Sequence, residues 1–222
     1  VALTPIQQWF FAQQRVNPDH FNQSVMLRLT RNVRTSWLRA ALAALVAHHD
    51  ALRLRFTLDD NGQWQQFNAA VDEQFTALHE VELSELSDPV TTIAAVAEQV
   101  QRSLSLSEGP LLRAVLLRAG AEYEPRLLLV IHHLAVDGVS WRILLEDLLA
   151  AYEQVRQTGL AQLPSKTSSF QQWAALLTEY AARMPFGFTS TVELAETVGL
   201  LVESKGPRIR VGDLCELLEA AE

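Results

Sequence analysis

Two adjacent imidazoles, His132 and His133, close the apolar run 126–131 and are followed by Asp137-Gly138. A neutral imidazole takes up a proton near physiological pH, and a positioned base of this kind contributes about 10²- to 10⁴-fold in rate. Neighbouring strand residues point to opposite faces, so one histidine is sent into the interior and the other is delivered to the open side of the strand end. Partial burial would keep the second ring neutral and able to act as a base. Asp137 is suited to fix the turn by accepting from amide groups ahead of the next helix, and Gly138 permits positive φ or the close approach of a ligand. The same residues also fit a histidine pair packed in a loop with an Asx turn. Spacing alone does not separate the two readings.

Other polar clusters read as structural. His48 and His49 are a second pair, but they follow a helix and lack an Asp-Gly turn at similar spacing. His20 and His79 are isolated and supply no metal-ligand spacing, so no metal is expected. Asp59 and Asp60 flank a turn as solvated groups, and Glu146 and Asp147 read as outward charges on a helix.

The elements that must hold the His-His segment follow from periodicity. Residues 24–30 alternate as a strand, with Val25, Leu27 and Leu29 on one side and Met26 and Arg28 on the other. Thr35 or Ser36 caps a helix carrying Trp37, Leu38, Ala41, Leu42, Leu45 and Val46. Residues 52–58 and 64–67 form a hairpin about Asn61-Gly62. Asp88-Pro89 opens a helix with Ile93, Val96, Val100 and Leu104 lining one face. Residues 111–118 and 126–131 are buried strands, covered on both faces, that lead as a hairpin into His132. A helix then runs from Val139 or Ser140 to about Gln157, burying Ile143, Leu144, Leu148, Ala151, Tyr152 and Val155, with Gly159 just beyond it. Another, capped by Ser168 or Ser169, buries Phe170, Trp173, Leu177 and Tyr180. The fold class is α/β, with mostly antiparallel strands and packed helices.

Composition narrows the function. The 222 residues carry a formal net charge of −8, spread along the chain, and no basic cluster alternates with aromatics. Nucleic acid is therefore not an expected partner. The single Cys215 excludes an internal disulfide and a Cys-rich metal site and fits a reducing cytoplasm. No stretch approaches the roughly 20 apolar residues of a membrane span. The chain starts abruptly without Met, as an excised piece of something longer would.

His132-His133-x-x-x-Asp137-Gly138 resembles the active-site motif of the condensation-domain superfamily, which includes chloramphenicol acetyltransferase-like acyltransferases. Val139-Ser140-Trp141-Arg142-Ile143-Leu144 is similar to the extension found in epimerization domains of non-ribosomal peptide synthetases. So are Leu3-Thr4-Pro5-Ile6-Gln7-Gln8-Trp9-Phe10 and His48-His49-Asp50-Ala51-Leu52-Arg53-Leu54-Arg55-Phe56. The resemblance covers residues 1–182 and implies a chloramphenicol-acetyltransferase-like lobe. It implies His133 as the catalytic residue, with His132, Asp137, Gly138, Ser140 and Trp141 supporting it. Physically, Ser140 and Trp141 read as helix capping and packing. No bound cofactor is implied: the substrate arrives on the phosphopantetheine arm of a peptidyl carrier protein.

The resemblance also implies a partner lobe with a Glu-Gly-His-Gly-Arg-Glu-like stretch, and no such stretch occurs here. The expectation is an epimerase lobe, inactive alone, that inverts Cα of an aminoacyl or peptidyl thioester. The alternatives are a peptide-bond-forming condensation domain and a non-catalytic remnant that docks carrier proteins. Residues 183–222 read as an atypical tail. Within it, about 190–217 resemble part of the amino-terminal β-barrel of flagellar and type III secretion ATPases, without a phosphate loop, so nucleotide hydrolysis is not implied.

Overall fold

The strand hairpin that leads into the two histidines supplies the two inner strands of a four-stranded sheet. The computed structural model describes residues 3–71, 77–84, 88–120, 123–165 and 169–183. In chain order the elements are α1 (Pro5–Ala12), β1 (Asn22–Arg28), α2 (Thr35–His48), a 3₁₀ turn (Asp50–Arg53), β2 (Leu54–Leu58), β3 (Trp64–Asn68), β4 (Leu78–Glu82), α3 (Pro89–Gln101), β5 (Leu112–Arg118), β6 (Arg126–His132), α4 (Gly138–Thr158) and α5 (Phe170–Arg183).

A four-stranded sheet runs in the order β1-β6-β5-β4. β6 pairs antiparallel with both β1 and β5, whereas β4 joins β5 in parallel. The sheet is thus mostly antiparallel, as expected, with one parallel edge. Periodicity does not reveal β4, because Leu-His-Glu-Val-Glu has few apolar residues and β4 pairs with β5 alone at the sheet edge. β2 and β3 form a separate hairpin, turned at Gly62 with φ 73°.

Each face of β5 and β6 meets its own core. Leu112, Ala114 and Leu116 with Leu127, Leu129 and Ile131 pack beneath α2 and α4. Val115, Leu117, Leu128 and Val130 pack with Val100 of α3 and Leu104. Met26, across β1 from Leu27, packs against this second core rather than facing water. Phe10 and Phe11 of α1 close a third cluster with Leu54, Phe56, Leu106 and Leu111. Full burial of one such Leu or Phe side chain contributes about 1.5–3 kcal/mol.

Several sequence expectations need correction. The residue at the start of α2 is Arg34, and neither Thr35 nor Ser36 caps it. Helix α4 starts at Gly138 and buries Trp141, Leu144, Leu148, Ala151 and Val155, while Ile143 is exposed and Tyr152 half-buried. Its apolar stripe is narrower than the periodicity because only the side facing α2 and the sheet is covered. Helix α5 approaches through the small, fully buried Ala174, which turns Trp173 and Tyr180 outward. Ser169 Oγ accepts from the Gln172 amide at its start, and Ser168 lies outside the described residues. Asp88 and Pro89 do open α3, with Asp88 accepting from the Thr91 amide at 3.1 Å. Gly159, at φ 80°, ends α4 in the left-handed conformation that glycine adopts without strain. The tail from 184 onward, with its β-barrel resemblance, lies outside the described residues. Among the described residues no helix is long and apolar enough to cross a membrane.

Candidate active site

β6 delivers both histidines, and alternation separates them. The His132 amide donates to Leu111 O at 3.0 Å and the His133 amide to Phe21 O at 2.8 Å, so the segment is held on both sides. His132 is fully buried, whereas His133 is half-buried.

The His132 ring is saturated with partners. Its Nε2 lies 2.8 Å from Pro18 O, which can only accept, and its Nδ1 receives the Leu134 amide at 3.2 Å. It is therefore the neutral Nε2–H tautomer, packed edge-on against Phe10. Burial pushes its pKa down to about 4, against smaller raising effects from the Pro18 bond and the nearby Asp19.

The His133 ring lies on the other side of the strand. It stacks on Phe21 with centroids 5.0 Å apart, and the Arg15 guanidinium sits 4.3 Å from the centroid of that same phenyl ring. Nδ1 is 2.8 Å from Val136 O, and Nε2 is 3.0 Å from the Gln23 side-chain amide nitrogen. Gln23 Oε1 in turn accepts from the Trp141 indole N–H at 2.8 Å.

The turn between strand and helix is fixed by Asp137. Its Oδ1 accepts from the Ser140 amide at 2.7 Å and from Ser140 Oγ at 2.6 Å. Asp137 is thus the cap of α4, and Ser140 lies in the first turn as a donor to it, not as the cap. Gly138 does not adopt positive φ, and a Cβ built there meets nothing within 4 Å. Its backbone does not require glycine; open space adjoins it. Trp141 is buried as expected and also makes a hydrogen bond.

A second cluster arises where α2 packs on α4. His49 Nε2 lies 2.8 Å from Asp147 Oδ2, and the His48 and His49 rings meet edge to face. Asp147 is therefore a half-buried partner, not an outward charge, whereas Glu146 is exposed and paired with Arg142. Ligand atoms of His48, His49 and Asp147 lie within 4.8 Å of one another. The Asp59 carboxylate is exposed; it accepts from the Asn61 and Gln63 amides and so ties down the β2–β3 turn.

Sequence reasoning missed Gln23, Phe21 and the Asp147 pairing. The alternation puts the start of the first strand at residue 24, whereas β1 starts at Asn22, opposite His132. Carrying the alternation back from Val25 places Gln23 on the same face, level with Ile131.

A family model described as "Condensation domain" matches residues 1–186. One linear gramicidin synthase protein of Brevibacillus parabrevis is 47% identical over 183 residues, which are 82% of this chain and 4% of that protein. A plipastatin synthase protein of Bacillus subtilis (strain 168) is 45% identical over 186 residues, 82% of this chain and 7% of that protein. Among solved structures, the epimerization domain from the third module of tyrocidine synthetase B superposes with a TM-score of 0.76 at 39% identity, covering 82% of this chain and 41% of that one. The first condensation domain of the calcium-dependent antibiotic synthetase gives 0.69 at 24% identity, covering 82% and 43% respectively, and shares the fold. The chain thus spans a few per cent of these curated relatives and under half of these solved domains.

Proposed function

The chain belongs to the condensation-domain family of non-ribosomal peptide synthetases, and we propose that residues 1–182 are the amino-terminal lobe of an epimerization domain. The observation that carries this reading is the contrast in identity: 39% to the solved epimerization domain, against 24% to the solved condensation domain that shares the fold. The substrate would be an aminoacyl or peptidyl thioester on the phosphopantetheine arm of a carrier protein. Such a reaction, together with the single Cys215, suits the cytoplasm.

The chemistry asks for a proton carrier on each face of Cα. His133 takes the Cα proton, the C–H electron pair passes into the thioester carbonyl as an enolate forms, and a second group returns a proton to the opposite face. His133 serves one face. The second is served by a residue of the partner lobe, which the family resemblance gives as a glutamate. His132, Asp137, Gly138, Ser140 and Trp141 support the His133 side: a saturated core ring, a fixed turn, open space at the helix start and a buried anchor. Residues 183–222 are proposed as a separate tail; the family match runs into its first residues and ends at residue 186.

The test joins the chain to the carboxy-terminal lobe of a related epimerization domain and supplies an aminoacyl-loaded carrier protein. Chiral analysis of the released amino acid should show inversion by the fusion and none by the chain alone, and deuterium from D₂O should enter Cα. Peptide formation from a second loaded carrier without inversion would assign the lobe to condensation instead.

A further inference from the structure

We propose that Gln23, steered by Trp141, is a positioning residue that holds His133 as the tautomer with its proton on Nδ1 and its lone pair on Nε2. The use of that lone pair as a base rests on the epimerization reading above. The tautomer itself does not.

Each end of this hydrogen-bonded chain can only donate or only accept. An indole N–H only donates, so the Trp141 bond fixes Gln23 Oε1 on the Trp141 side of the amide. The other end of the amide, an NH₂ group that also only donates, then faces His133 Nε2 at 3.0 Å. Nε2 must accept. At the far side of the ring, the Val136 carbonyl only accepts, so Nδ1 must carry the proton across 2.8 Å. Two separate constraints, one from β1 and α4 and one from the loop after β6, demand the same tautomer. The hydrogen bonds run in one direction, from Trp141 through Gln23 and His133 to Val136 O. Moving the proton to Nε2 would set N–H against N–H at one end and a lone pair against a carbonyl at the other, a bias of more than about tenfold.

The frame is stiff where it needs to be. Gln23 sits in β1 opposite Ile131 of β6, Trp141 is buried on α4, and Phe21 stacks on the ring. His132 next door is fixed in the opposite tautomer by Pro18 O and the Leu134 amide. Adjacent histidines thus carry their protons on different nitrogens. For the Nε2 lone pair to take up a proton, the Gln23 NH₂ group that donates to it has to move aside.

The experiment is ¹⁵N NMR of histidine-labelled full chain at about pH 8, above the unperturbed imidazole range, with His133 assigned by signal loss in His133→Gln. The expected pattern is a pyrrole-type Nδ1 and a pyridine-type Nε2 in the unsubstituted chain. Gln23→Glu supplies an acceptor to both neighbours and should move Nε2 towards the protonated shift. Trp141→Phe frees the amide to flip and should shrink the difference between the two nitrogens. A pyrrole-type Nε2 in the unsubstituted chain, or a Gln23→Glu spectrum unchanged from it, overturns the proposal. Inversion by the fused domain with a pyrrole-type Nε2 would sink this inference and keep the functional reading; the expected spectrum without inversion would do the reverse.

Discussion

His132 and His133 adjoin in sequence yet face opposite sides of the sheet, the first fully buried against Pro18 O and Phe10, the second half-buried between Phe21, Gln23 and Val136 O. Their substitution should therefore separate stability from chemistry. His132→Ala leaves Pro18 O and the Leu134 amide unpaired around a cavity and should cost about 2–4 kcal/mol in urea unfolding. His133→Ala should cost less, about 1 kcal/mol. In the fused domain, His133→Ala should lower inversion by about 10²- to 10⁴-fold. Equal stability losses for the two, or undiminished inversion in the second, would contradict the assignment.

Burial of neutral His132 makes stability depend on pH. Its pKa is about 4 in the folded chain against 6.5 for the free side chain. As pH falls from 6.5 towards 4 the unfolded chain takes up a proton that the folded chain refuses, so stability drops by up to about 3 kcal/mol. Below that window this group adds no further loss. Urea titrations across the range should show the decline, and His132→Phe should flatten it.

The Asp137 cap should be measurable by itself. Asp137→Ala removes the acceptor for the Ser140 amide and hydroxyl and should lower stability by about 1 kcal/mol, whereas Asp137→Asn keeps an acceptor and should lose less. Equal losses in chemical denaturation would show that the cap is not what the carboxylate contributes.

Across the α2–α4 contact, His49 and Asp147 should be coupled. A double-mutant cycle with His49→Ala and Asp147→Ala should give a coupling near 1 kcal/mol for this half-buried pair. Additive effects would mean that the 2.8 Å contact adds nothing to folding.

Local elements and the two-sided delivery of the histidines follow from the pattern of neighbouring residues along the chain. The dense apolar runs 111–118 and 126–131, the Asp88-Pro89 start of α3 and the Gly159 end of α4 are legible because alternation and caps are set by chain-local sterics and hydrogen bonding. The rest arises only when the elements pack together. Pairing of β4 with β5 brings a weakly apolar edge strand into the sheet; the close approach at Ala174 turns Trp173 and Tyr180 out; packing of α4 on α2 draws Asp147 to His49. The Gln23 relay belongs to this second group. Its partners His133 and Trp141 lie 110 and 118 residues away along the chain. Periodicity reports which face a residue occupies, but a hydrogen-bond partner that distant is chosen only when the strands and helices come together.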